Sequence, residues 1–214
     1  MADLASEGGV PWPMSRRVLC GTTRVAGHIL ESTMYNDAEC ARDIANEQYE
    51  VFKLDPRDWV PNNSRLPVVI YRRALRADSG DLASAFEILF ERNDWPPQWR
   101  DGIFDYHHFH ASAHEVLGIA SGSAEVIVGG PGGRVVKVAA GDAMLLPAGT
   151  GHCLQAFSGR FQVVGGYPAG QQWDIRREAL TPAERATMDA LPFPPRDPLD
   201  GTHGPVVEHW LHAA

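Results

Sequence analysis

The stretch that decides the fold lies in the middle of the chain and reads GIFDYHHFHASAHEVLGIASG over residues 102–122. It holds four of the chain's nine histidines, which are His107, His108, His110 and His114. Alternate side chains of a β-strand project from the same face, so we expect His108 and His110 to face one side and His107 and Phe109 the other. Two imidazoles on one face of a strand can converge on a single metal ion.

A further ligand is needed to complete such a site, and the sequence offers two candidates. His114 keeps the strand parity of His110, because a step of four residues is even. Glu115 lies five residues on from His110 and can turn inward only if the chain bends around residues 111–113. Periodicity leaves both candidates open. A mixed set of nitrogen and oxygen ligands suits a divalent ion of iron, manganese, nickel or zinc.

A second element follows downstream and reads GDAMLLPAGTGH over residues 141–152. Its pattern predicts a turn at Gly141-Asp142, a short buried strand, and a second tight turn from Pro147 to Gly151. That second turn would present His152 at the start of a strand. Taken alone, the element is an ordinary β-turn unit, and its interest lies in the histidine that it adds to the first cluster.

Both elements lie in a region where short apolar runs alternate with glycine turns. Strands are expected at residues 49–54, 67–72, 115–120, 124–128, 134–138, 143–146, 152–157 and 161–167. Many short strands joined by Gly and Pro turns favour a sandwich or a small barrel. Two helices are also expected, at 82–92 after a capping Asp81, and at 182–190 after the capping box formed by Thr181 and Glu184.

Composition excludes several classes of protein. The chain has 27 acidic and 19 basic residues and a net charge of −8, so we expect it to bind neither nucleic acid nor an anionic membrane. No apolar run has the roughly 18 residues that a membrane span needs. The cysteines, Cys20, Cys40 and Cys153, are odd in number and show no disulfide or zinc pattern. With no clear signal peptide, these features predict a cytoplasmic protein.

The spacing of both elements resembles the two motifs of the cupin superfamily. The first runs from Gly102 through five residues to His108-Phe109-His110, then through four residues to Glu115 and six more to Gly122. The second runs from Gly141 through five residues to Pro147-Ala148-Gly149, then through two residues to His152. One position departs from the pattern, since Ala156 stands where the motif usually ends in Asn.

This resemblance implies an all-β fold, the antiparallel double-stranded β-helix or jelly-roll barrel, with a few peripheral helices. It also implies that His108, His110, Glu115 and His152 bind one divalent metal ion (Fe, Mn, Ni or Zn), and that His114 lies outside the ligand set. On this basis the chain divides into an N-terminal arm at 1–47, a barrel at 48–175 that includes helix 82–92, and a C-terminal helix and tail at 176–214.

Three functions are compatible with this site, and the oxygenase is the favoured one. The first is a small-molecule oxygenase. The second is a metal-dependent isomerase, epimerase or lyase with His114 or a tyrosine as acid or base. The third is a non-catalytic binding protein. Weak candidates for further polar groups in the cavity are Tyr106, Gln155, Gln162 and Tyr167. The expected partners are a small molecule in the barrel and a second copy of the chain. The resemblance implies that such copies pair through sheet edges and N-terminal arms, and residues 1–47 are expected to be either loose or part of that contact.

Overall fold

The structure is a computed structural model, and it describes residues 48–211. The arm expected at residues 1–47 lies outside this part of the chain. The strands are β1 (Gln48–Phe52), β2 (Val68–Arg72), β3 (Pro97–Asp101), β4 (Glu115–Val128), β5 (Arg134–Ala139), β6 (Ala143–Leu146) and β7 (His152–Gly166). The helices are α1 (Leu82–Arg92), α2 (Pro182–Asp189) and a single π-helical turn, Val206–Trp210.

The seven strands form one antiparallel sheet in the order β1-β2-β6-β4-β7-β3, with β5 pairing to β4. The long β4 changes partner along its length: its first residues pair with β6 and its last residues with β5, while β7 runs beside it throughout. The fold is therefore mostly antiparallel β-sheet with few helices, consistent with a cupin-type jelly roll, and the predicted fold class is confirmed.

Strand alternation separates two apolar layers on opposite faces of the sheet. One layer contains Val116 of β4 and packs against α1, where Phe86 and Phe90 are fully buried. The other contains the next residue, Leu117, and fills the barrel interior together with Ile103. Since adjacent residues of a strand point to opposite faces, this arrangement explains why the central strands are apolar at nearly every position.

Both predicted helices are confirmed. Helix α1 covers residues 82–92 as expected, and the Asp81 carboxylate accepts hydrogen bonds from the backbone N–H groups of Ala83 and Ser84. Helix α2 begins at Pro182 behind a complete capping box, in which Thr181 and Glu184 bond each other's backbone N–H. No helix among residues 48–211 is long and apolar enough to span a membrane.

Four of the predicted strands join into two longer ones, and strand β3 has no counterpart among the predicted strands. The runs 115–120 and 124–128 form the single strand β4, and the runs 152–157 and 161–167 form the single strand β7. Gly122 and Gly159 both have φ of +72°, and the ladder bends there without ending. Strand β3 begins at Pro97 on the edge of the sheet, where a missing N–H costs no ladder hydrogen bond.

Candidate metal centre

An extended segment after β3 carries the first two histidines. The backbones of His108 and His152 exchange two hydrogen bonds, with N···O distances of 3.2 and 2.9 Å. The backbones of Phe109 and Arg176 exchange two more, 3.0 and 2.9 Å long. The side chains alternate as a strand requires: the rings of His108 and His110 lie 5.5 Å apart, whereas Phe109 is buried against Trp59.

A bend at residues 111–114 brings the side chain of Glu115 close to those of the histidines. Asp174 holds this bend, because its carboxylate accepts hydrogen bonds from the backbone N–H of Ala111 (2.7 Å) and of Ser112 (3.1 Å). Glu115 follows as the first residue of β4 and is almost fully buried. No sequence pattern marks Asp174 for this role, since it lies some sixty residues away in the chain.

The predicted turn from Pro147 to Gly151 presents His152 at the first position of β7. The Thr150 N–H donates to the Pro147 carbonyl, and Gly149 has φ of +90°, which only glycine adopts without strain. The Gly149 N–H donates to the carbonyl of His110 over 2.8 Å. The second motif is thus joined directly to the first by main-chain hydrogen bonds.

Three imidazoles meet at one point. His108, His110 and His152 are buried, and one ring nitrogen of each lies within 4.8 Å of the other two. Glu115 completes the group, since its carboxylate oxygens lie 3.3 Å from Nε2 of His110 and 3.4 Å from Nε2 of His152. The structure therefore brings together all four residues that the resemblance indicated as ligands.

The orientation of each ring is set by a backbone carbonyl. Nδ1 of His108 lies 3.1 Å from the Tyr106 oxygen, and Nδ1 of His152 lies 3.2 Å from the Thr150 oxygen. Nδ1 of His110 contacts the Asp174 carbonyl in the same way. A carbonyl can only accept, so each Nδ1 carries a hydrogen, and a neutral imidazole then turns its Nε2 lone pair to the centre.

The two oxygens of Glu115 have different surroundings. Oε1 accepts a hydrogen bond of 2.8 Å from the hydroxyl of Tyr167, whose oxygen in turn accepts one of 2.9 Å from Trp99 Nε1. Oε2 is buried without a hydrogen-bond partner among the described residues. A buried carboxylate oxygen left unpaired costs free energy unless a cation or donor reaches it. The residues therefore fit a bound metal ion.

The protonation states also favour a cation. Burial, reinforced by His152 and His110, lowers the pKa of His108 to about 3, and burial lowers the pKa of His152. Burial alone would raise the pKa of Glu115, but the neighbouring His110 outweighs it and holds that pKa at about 2. Burial alone would lower the pKa of His110, but the neighbouring Glu115 carboxylate outweighs it and raises that pKa. At neutral pH the site thus keeps His108 and His152 uncharged beside an ionised carboxylate, and a bound metal ion would take the place of a proton on His110.

The four residues form part of the wall of a cavity of about 210 Å³. The remaining lining residues are Trp99, Asp101, Gly102, Ile103, Phe104, Leu117, Tyr167 and Trp173. Trp173 stacks on Tyr167 at a ring separation of 5.8 Å and meets the His110 ring edge-on at 5.9 Å. Neither Trp99 nor Trp173 is recognisable as a site residue from the sequence, because a single tryptophan carries no spacing signal.

Of the other predicted site residues, only Tyr167 lines this cavity. His114 is buried elsewhere: its Nδ1 accepts the Ala148 N–H at 2.9 Å and its ring packs on Trp210. Tyr106 lies behind His108, edge-on to its ring at 5.6 Å. Gln155 is exposed and faces Glu125, and Gln162 lies along the β4–β7 ladder.

The hydroxyl of Tyr167 is expected to strengthen metal binding by orienting Glu115. The substitution Tyr167→Phe keeps the ring and removes the hydrogen bond to Oε1, so the affinity for Co²⁺ should fall by about tenfold, the lower end of the effects of groups behind metal ligands. Chelator-competition titration measures this. Tyr106→Phe is the matched control, since it keeps the ring against His108, and it should bind Co²⁺ as the native chain does. Equal affinities in the two variants would contradict the role of Tyr167.

Three solved structures resemble the chain at low overall similarity. Procruciferin, an 11S globulin from Brassica napus, is 17% identical, with a TM-score of 0.29 over 52% of this chain and 22% of that one. Acireductone dioxygenase from Bacillus anthracis, with a cadmium ion in its active centre, is 18% identical, with a TM-score of 0.31 over 43% of this chain and 61% of that one. The epimerase RmlC from Legionella pneumophila is 11% identical, with a TM-score of 0.29 over 68% of this chain and 95% of that one.

A much stronger similarity is found with one curated protein, whereas no protein-family model matches the chain. The uncharacterized protein YjlB of Bacillus subtilis is 35% identical over 154 residues, which is 71% of this chain and 90% of the relative. Identity at this level across nearly the whole relative requires a shared fold and common descent. The chain therefore belongs to the same family as YjlB.

Proposed function

We propose that the protein is a metal-dependent enzyme of the cupin superfamily that oxidises a small organic molecule with dioxygen. His108, His110, Glu115 and His152 would hold one divalent ion. The observation that carries this proposal is the convergence of three buried imidazoles, each oriented by a carbonyl, on a carboxylate whose second oxygen has no hydrogen-bond partner within residues 48–211.

The metal chemistry and the protein's part in it can be separated. An ion of iron or manganese would supply redox chemistry with dioxygen, and nickel or zinc would supply Lewis-acid chemistry. The chain's own residues bind and orient the ion and surround it with an apolar wall that includes Ile103 and Leu117. Such a wall excludes water from the reacting molecule and protects reactive intermediates from hydrolysis.

Two observations weigh against an isomerase, epimerase or lyase. Those reactions need a side chain that moves a proton on the substrate, and His114 does not line the cavity. The hydroxyl of Tyr167 already donates to Glu115 and accepts from Trp99, and burial together with the Glu115 carboxylate raises its pKa. Tyr106, like His114, does not line the cavity, so none of the three candidates for proton transfer is placed for such a reaction.

Metal analysis followed by oxygen uptake tests the proposal. Protein purified without added metal would be analysed for bound ions, then loaded with Fe²⁺ under anaerobic conditions and supplied with catechols, thiols and β-diketones in an oxygen electrode. We expect oxygen uptake that depends on both iron and an organic substrate. The iron-loaded protein binding these compounds without uptake would contradict the oxygenase and favour a binding protein. Failure to retain any divalent ion would contradict the metal centre itself.

A further inference from the structure

We propose that the cavity binds a single planar ring that offers an oxygen atom to the metal and carries no anionic group elsewhere. This inference rests on the proposed function, because it takes the ion as one of the two contacts that hold the ligand. The other contact is the pair of aromatic side chains Phe104 and Trp173, which line the cavity and are exposed.

The volume limits the ligand to about one ring. A cavity of roughly 150 Å³ lined by apolar side chains takes up benzene, and drug-sized ligands occupy roughly 300 Å³ or more. The present cavity, at about 210 Å³, lies between these sizes. The cavity encloses a ring with one to three small substituents, whereas a nucleotide sugar or a fused polycyclic molecule would extend beyond it past the exposed Phe104 and Trp173.

The hydrogen-bonding groups of the wall are unsuited to a sugar. The indole N–H of Trp99 donates to Tyr167, the hydroxyl of Tyr167 donates to Glu115, and the indole N–H of Trp173 donates to Gln98 over 3.0 Å. Among the described lining residues, no neutral side-chain donor is left for a ligand. A polyhydroxylated molecule would find the Asp101 carboxylate as an acceptor but no neutral side-chain donor, so most of its hydroxyls would lose bonds to water without replacement, which costs free energy for each group.

The charges of the wall are unsuited to an anion. No Lys or Arg is among the described residues that line the cavity, and its two acidic groups are Glu115 and Asp101. A carboxylate or phosphate on the part of the ligand remote from the metal would meet no cation and would be repelled by Asp101. A hydroxyl or amino group at that position could instead donate to the Asp101 carboxylate.

The exposed rim of the cavity, formed by Phe104 and Trp173, supplies the remaining contact. Phe104 is 45% exposed and Trp173 is 40% exposed in the free protein, so their rings are available to a ligand. Both are held in place, Phe104 by stacking on Tyr106 at 4.8 Å and Trp173 by stacking on Tyr167. A planar ring gains stacking energy of about 0.5–1.5 kcal/mol from such a neighbour beyond the area that it buries. A saturated ring does not.

Three probes and a matched pair of variants test the proposal by calorimetry on the Co²⁺-loaded chain. The probes are catechol, cis-1,2-cyclohexanediol with the same carbon and oxygen skeleton but no planar ring, and 3,4-dihydroxybenzoate with an added carboxylate. Catechol should bind, and the other two should each bind at least about tenfold more weakly. Phe104→Leu should weaken the binding of catechol about two- to tenfold, as the stacking energy requires. Phe157→Leu changes a 63% exposed phenylalanine outside the cavity and should leave the binding of catechol unchanged.

The comparison of variants removes the effect of catechol's own chelating strength, because ligand and metal are the same in both. Co²⁺ titration of each variant should give the native affinity, which shows that the loss concerns the ring and not the ion. Equal weakening by Phe104→Leu and Phe157→Leu, or binding of 3,4-dihydroxybenzoate as tight as that of catechol, would overturn the inference. Failure of the native chain to bind Co²⁺ would overturn the proposed function and, with it, the metal contact required here.

Discussion

Replacing His110 or His152 by alanine should abolish tight binding of a divalent metal ion. Each imidazole is buried and turns its Nε2 toward the carboxylate of Glu115, at 3.3 and 3.4 Å. Removing one of them leaves a water-sized gap in place of a ligand. The affinity for Co²⁺ should fall by more than about 100-fold, beyond the range seen when only the groups behind metal ligands are changed. Competition with a chromophoric chelator measures it.

The matched control is His107→Ala, which removes a neighbouring imidazole that does not line the cavity. Its affinity for Co²⁺ should equal that of the native chain, whereas His108→Ala should behave like His110→Ala. If His107→Ala lost metal binding and His108→Ala kept it, then His107 and not His108 would face the metal site, contrary to the orientation described. Circular dichroism of each variant separates loss of the ion from loss of the fold.

Phe86→Ala should destabilise the fold by about 3–5 kcal/mol, the range for removing a fully buried phenylalanine ring. Phe86 has no exposed surface, and its ring lies directly over Gly118 of β4, where an added Cβ would stand 2.5 Å from it. Neither neighbour can refill the space, since Gly118 has no side chain and Phe90 already packs beside Phe86 at 5.5 Å. Urea unfolding followed by fluorescence gives the free energy of unfolding.

The control lies two residues along the same helix. Ile88 is 42% exposed, and Ile88→Ala should cost less than about 1 kcal/mol because little apolar surface is returned to water. Comparable losses for the two variants would contradict the packing of α1 on the sheet. The metal affinity of Phe86→Ala should stay native below its unfolding transition, since α1 packs on the face of the sheet opposite to the cavity.

The elements that sequence predicted best are those whose signals are local. The bounds of α1 follow from apolar spacing and the Asp81 cap, and α2 follows from its capping box. The ends of β4 and β7 were not predictable in this way, because a glycine that bends a continuing strand looks like one that ends it. An added Cβ on Gly122 would stand 2.7 Å from the carbonyl oxygen of Ser158, so the bend depends on the partner strand.

The candidate ligands came from motif spacing, whereas their surroundings came from distant parts of the chain. Strand parity does not decide whether His114 or Glu115 faces the candidate metal site. The outcome depends on the bend at residues 111–114, which Asp174 holds. The exposed rings of Phe104 and Trp173 at the cavity rim belong to two segments that only the folded chain brings together. The domain boundaries, the homodimer formed through residues 1–47 and the cytoplasmic location stay predictions.

The carbonyls behind the three imidazoles have a consequence for how the family can diversify. The groups that orient His108, His110 and His152 belong to the main chain of Tyr106, Asp174 and Thr150, so exchanging those side chains leaves the carbonyl oxygens in place. The walls of the cavity consist of ordinary side chains that can be exchanged one at a time. Descendants of one ancestor could therefore acquire new chemistry around an inherited ion by changing the walls alone.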